Sequence, residues 1–159
     1  MGLLFVRFVS ILFSGLVAGA TVCVFLVERS LPDSGSFYVL YKQRMIQALT
    51  IPLPLLAILG GVAVLVDAYG LWREPSGSRL CLALTLGSVA LIAAGGLLTK
   101  LGHFPINDQI MTWDPAAPPA GWSAVQAKWA GLHLMRTLVS TAAFALLVAS
   151  NLMRASFHD

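Results

Sequence analysis

The chain has 159 residues, 58% of them hydrophobic and only 11% charged, with a mean hydropathy of +0.83. Ordinary soluble domains carry about 25% charged residues, so composition alone argues for a membrane protein. A net charge of +3 and a pI near 9.2 do not make it a nucleic-acid binder: the ten Lys and Arg stand singly around apolar runs, with no basic stripe.

Four runs hold almost no charge: 3–27, 49–71, 80–99 and 132–153. Each reaches the roughly 20 residues that a helix needs to cross ~30 Å of hydrocarbon. They are apolar all round rather than striped, and a helix satisfies its own backbone in lipid. The expected fold is all-α: an integral membrane four-helix bundle, one transmembrane domain over 1–159, with an ordered loop or short-helix segment between the third and fourth helices. Arg7 before the apolar stretch Phe8–Phe25 resembles a signal peptide. That stretch is longer than the usual 7–15 residues and has no small-x-small cleavage site, so a retained helix is expected.

Glu28 closes the first run on the face that later carries two histidines, and Arg29 and Arg44 are its candidate partners. The link Pro32-Asp33-Ser34-Gly35 breaks the chain. Tyr38, Tyr41 and Met45 then recur at helical spacing, predicting a helix that runs into the second span. The tyrosines read as interfacial anchors or as ligand contacts, and Tyr41 is the substrate-contact candidate. Pro52 and Pro54 are expected to bend the start of the second span. Arg73-Glu74-Pro75-Ser76-Gly77-Ser78-Arg79 predicts a tight turn, making spans two and three a hairpin whose Gly60-Gly61 and Gly95-Gly96 allow close approach. Cys23 and Cys81 fall inside apolar runs with no metal spacing and read as small buried hydrophobes. The termini and the Trp72–Arg79 link share one face, here face A. Its density of Arg favours a cytoplasmic side for the termini.

The opposite face, B, gathers His103-Phe104-Pro105-Ile106-Asn107-Asp108, then Trp113, Trp122, Trp129, His133 and Arg136. Polar groups at the ends of membrane helices must be solvated, paired or used. Trp129, His133, Arg136 and Ser140 share one helical face. Arg136 lies inside the hydrocarbon boundary and needs a partner: Asp108, Asp114, Glu28, a backbone carbonyl or an anionic ligand. Asn107 after Pro105 reads as the cap of a short helix Asp108–Thr112, or as a donor to an oxyanion. Trp113, Trp122 and Trp129 read as interfacial residues or as walls for a flat substrate. His133 can serve as a general base. His103 lies at the same level, so His103 and His133 with Glu28 or Asp108 form an alternative metal site.

The order Pro105-x-Asn107, Trp113, Trp129-x-x-x-His133-x-x-Arg136 resembles the anthrone oxygenase family of small four-span membrane proteins. The resemblance implies oxidation of a lipophilic, anthrone-like aromatic by molecular oxygen as co-substrate, with no cofactor. It implies His133 as base, Asn107 and Arg136 as stabilisers of the phenolate, and Trp113 and Trp129 flanking the rings; His103 and Tyr41 complete the candidate contacts. The expected partners are the lipid bilayer and such a small molecule, with no nucleic acid, and a homo-oligomer is compatible with the sequence. Two other classes stand beside this one: a non-enzymatic scaffold, accessory subunit or lipid-binding protein, and a His-ligated metal or haem protein.

Overall fold

The computed structural model describes residues 2–74 and 78–156, and every regular element in them is helical. The long helices are α1 (Gly2–Glu28), α3 (Pro52–Arg73), α4 (Arg79–Leu97) and α6 (Trp122–Ser156), with a shorter α2 (Gly35–Leu49) between α1 and α3. Beyond Leu97 the helix continues through a π-helical turn (Leu98–His103) into α5 (Phe104–Met111). Four stretches are long and apolar enough to cross a membrane: Gly2–Glu28, Pro52–Arg73, Arg79–Met111 and Trp122–Arg154. The protein is a multi-pass membrane bundle.

The four long helices close a ring in which α1 touches α3 and α6, and α4 touches the same two. Their outer sides present large apolar residues such as Leu4, Phe8, Ile58 and Leu138, each more than half exposed and facing where lipid would lie. Their inner sides carry small polar residues. Ser88 Oγ donates to the Ala143 carbonyl at 2.9 Å, and the Thr85 and Ser150 hydroxyls meet at 2.9 Å. Such bonds between membrane helices average about 0.6 kcal/mol each.

Near face A a stronger clamp ties the ring. Asp67, 1% exposed, accepts two bonds from Arg154 at 2.8 and 3.0 Å. Arg154 also reaches the Thr85 hydroxyl at 3.1 Å, and Arg7 Nε lies 3.6 Å from Asp67. One carboxylate thus holds α1, α3, α4 and α6 together. Sequence reading passed over it, because a single Asp does not break an apolar run.

Several boundaries differ from the sequence expectations. The second span starts at Pro52, and α2 stops at Leu49 instead of running into it. Pro52 has no N–H to continue the α2 ladder, yet suits the first turn of α3, where no donor is needed. Helices three and four are longer than their apolar runs: α5 carries the third to Met111, and α6 starts ten residues before 132. Both project past the apolar region on face B. Of the expected face A turn, Pro75, Ser76 and Gly77 lie outside the described residues; Ser78 caps α4 by accepting from Cys81 N at 3.4 Å. Gly60 serves α1 rather than the hairpin, since a Cβ there would stand 3.1 Å from Phe13 Cβ. Cys81 is buried as expected, whereas Cys23 is exposed on α1.

A roof and a cavity position the site. Ser34 caps α2, its Oγ accepting from Phe37 N at 3.4 Å. The α2 face formed by Tyr38, Val39, Lys42 and Ile46 then packs down on α5 and α6, where Ile106, Ile110 and Trp129 complete an apolar core. Gln43 fastens this roof by donating to the Ile110 and Trp113 carbonyls at 3.1 and 2.8 Å.

Candidate functional site

The π-helical turn is where the third helix bends its residues to a task. Pro105 cannot donate to the carbonyl four residues earlier, and Gly102 offers no side chain, so the ladder loosens at this point. Single π turns occur frequently at functional sites. Here the turn ends at His103, with Asn107 one helical turn further on. Asn107 lies inside α5, which corrects the reading of it as a cap. Its Oδ1 accepts from Trp129 Nε1 at 2.9 Å, leaving its NH2 group to line a cavity.

Trp129 is the centre of the cluster, 2% exposed. His133 stacks on it with ring centroids 4.8 Å apart, and His103 meets it edge-on at 5.1 Å. Lys42 Nζ sits 2.8 Å from the centre of its ring, a cation–π contact, while bonding Glu28. Burial pushes the Lys42 ammonium down to about 7; Arg136 adds to the fall and the Glu28 carboxylate opposes it. The Glu28 partner is therefore Lys42, neither Arg29 nor Arg44. A lysine on the stripe Tyr38, Val39, Lys42, Ile46 was the signal that sequence reading missed.

The two histidines have different hydrogen-bond states. Arg136 Nη2 lies 2.8 Å from His133 Nδ1, and a guanidinium only donates. Nδ1 must therefore be the acceptor, and Nε2 carries the proton that it donates to the Thr21 carbonyl at 3.0 Å. Both nitrogens of His133 are engaged, so its lone pair serves neither a metal nor a substrate proton in this arrangement. His103 Nδ1 lies 3.3 Å from the Leu98 carbonyl, which can only accept, so Nδ1 holds the proton. Its Nε2 is then a buried lone pair with no partner among the described residues. The ring centroids are 6.2 Å apart, and among the described residues no group of three or more His, Cys, Asp or Glu converges on a metal-sized point.

A cavity of about 570 Å³ opens beside this cluster. Its polar end is built by Asn107, Trp129, Arg136, Thr99 and Lys100, and it runs along the bundle past Ser140 to Ser14 on an apolar wall. The lining holds two cations and, among the described residues, no carboxylate. Ser14 Oγ and Arg136 Nε are buried without partners. The volume falls in the ~300–1,000 Å³ range of small-molecule sites.

The expected site residues separate accordingly. Asn107, Trp129 and Arg136 meet at the cavity, and His133 and His103 stand against Trp129. Trp113 and Tyr41 do not line it. Trp113 packs on the apolar core under the roof, and Tyr41 is half-buried on α2, stacked on Phe37 with centroids 6.5 Å apart. Asp108 is exposed, and Asp114 holds a turn by accepting from Ala116 N at 2.9 Å, so neither pairs with Arg136.

Four spanning helices around an apolar cavity with a donor-rich end define a small multi-pass membrane protein with a site for one ligand. The family model for anthrone oxygenase matches residues 37–146, more than half of the chain and including the whole polar cluster except Thr21 and Glu28. The chain belongs to the anthrone oxygenase family. Neither the curated proteins nor the solved structures contain a match.

Proposed function

We propose that the protein oxidises a lipophilic, anthrone-like aromatic with molecular oxygen at the Asn107–Arg136 end of the cavity. The observation that carries this reading is the cavity itself, which combines a flat Trp129 wall, an apolar body and convergent donors with an excess of positive charge.

An anthrone carries an acidic CH2 opposite its carbonyl. Losing one proton gives a delocalised anion whose charge rests largely on oxygen. Arg136 and the Asn107 NH2 are placed to bind that oxygen; fixed donors in a dry site are a large source of catalysis. The anion passes one electron to O2. The resulting radical pair combines into a C–O bond and, after protonation, a hydroperoxide. Loss of the second C–H proton with cleavage of the O–O bond expels water and leaves the quinone carbonyl. One O2 is consumed and one water released.

The geometry supports different roles for the two histidines. His133 acts as a positioning residue: its bond from Thr21 to Arg136 aims the guanidinium at the cavity. His103 is the proton acceptor in this reading, because its Nε2 lone pair is unoccupied.

Oxygen uptake by the purified protein with an anthrone tests the function. Arg136→Leu should lower kcat/KM at least ~100-fold, the loss typical of one oxyanion donor, with helix content unchanged. Full uptake in that variant removes this reading and favours a scaffold in which the cluster only fastens the roof.

A further inference from the structure

The cavity has walls of unequal quality. On face B it is covered by Met45, Ile46 and Leu49 of the α2 roof. In the middle of the bundle α3 and α4 are in contact, since a Cβ on Gly61 would stand 3.5 Å from Ile92 Cγ2. Nearer face B the two helices part. There Leu53 and Ala57 on α3 and Gly96, Thr99 and Phe104 on the third helix line the same cavity from opposite sides. The rim of this gap consists of residues facing outward at hydrocarbon level: Ile58 is 63% exposed, Val62 54% and Phe104 38%, and all three also line the cavity. Gly96 sits on the rim with open space before it, because a Cβ added there meets nothing within 4 Å.

We propose that the gap between α3 and α4, edged by Ile58, Val62, Gly96 and Phe104, is a lateral portal through which a lipophilic aromatic ligand enters the cavity from the bilayer. The occupant is set by the continuity of the space: it joins the hydrocarbon level to a donor-rich end with two cations and no carboxylate. A flat apolar molecule with one anionic or hydrogen-bonding oxygen fits, apolar edge toward the gap and oxygen toward Arg136 and Asn107. A water-soluble substrate would need a polar mouth on face B, where the roof is apolar. The ligand class rests on the anthrone reading; the portal rests on the geometry alone.

The test uses the full chain in vesicles of phosphatidylcholine brominated on its acyl chains, with tryptophan fluorescence as readout. Trp129 is 2% exposed and lines the cavity, whereas Trp72 is 67% exposed and is quenched whatever the gap does. Gly96→Phe places a ring in the open space without a clash, and Gly96→Ala keeps the gap while making the same backbone change. The portal predicts that Gly96→Phe is quenched less than the parent and Gly96→Ala equally. It also predicts that anthrone oxidation in vesicles falls roughly tenfold or more only in Gly96→Phe, since filling a preformed cavity removes its apolar contacts. Equal quenching in all three proteins overturns the portal. The predicted quenching pattern with no oxidation of any anthrone supports the portal and removes the reaction instead.

Discussion

Replacing His133 in two ways separates a base from a positioning residue. In the structure Arg136 donates to Nδ1 at 2.8 Å and Nε2 donates to the Thr21 carbonyl at 3.0 Å. A glutamine amide offers the same pair of functions, one acceptor and one donor. His133→Gln can therefore rebuild the relay, and kcat/KM should stay within about tenfold, the ~1.4 kcal/mol of an imperfect bond. His133→Ala removes both functions and leaves a buried guanidinium without its partner. A hydrogen bond to a charged group is worth about 1.5–3 kcal/mol, so kcat/KM should fall about 10- to 150-fold. The assay is initial oxygen uptake across pH with an anthrone, with helix content by circular dichroism as a control. If His133 is the base, both variants lose about 10²–10⁴-fold and the acid limb of the pH profile disappears in both. That result would refute the relay.

Other outcomes follow from the same geometry. His103→Gln should remove the acid limb of the pH–rate profile and lower kcat by about 10²–10⁴-fold, the contribution of a general base, while binding of a non-reacting analogue is kept. Lys42 binds its proton less tightly in the folded protein, at about 7, than in the unfolded chain, at 10.5. The unfolded state then holds more protons between those values, so thermal stability should rise as pH climbs from about 7 to 10.5, and Lys42→Met should flatten that rise. Asp67→Asn should cost about 3–5 kcal/mol of stability, because it leaves Arg154 and Arg7 buried without their shared carboxylate. The paired replacement Asp67→Leu with Arg154→Met should recover much of it, read by melting in detergent.

Much of this site was legible because helices impose a period. Trp129, Arg136 and Ser140 line one cavity since their spacing puts them on one face, and the apolar runs located the spans since lipid demands length. The same period says nothing about how separate helices rotate against each other. The Lys42–Glu28 pair depends on α2 folding back over the bundle, which no local pattern encodes. Tyr41 and Trp113 have the right chemistry but face away from the cavity, on α2 and in the core beneath it. The helix ends on face B were hidden because 100–111 and 122–131 are polar enough to leave the membrane while still helical. The different states of His103 and His133 depend on Thr21 and Leu98, two backbone carbonyls with no sequence signature.

The π turn at 98–103 changes what kind of mutation this protein can tolerate. An α-helix advances about 100° per residue, and a π turn inserts a residue without adding a turn. Everything beyond it, including Asn107, is therefore set at a different phase from the helix that leads up to it. Substitutions near the turn alter side chains one at a time. Deleting a single residue between Leu98 and Gly102 would instead restore ordinary helical phase and swing Asn107, Ile106 and Ile110 together away from Trp129. In this stretch length is the guarded quantity, so a gap is a graver change than any exchange of residues.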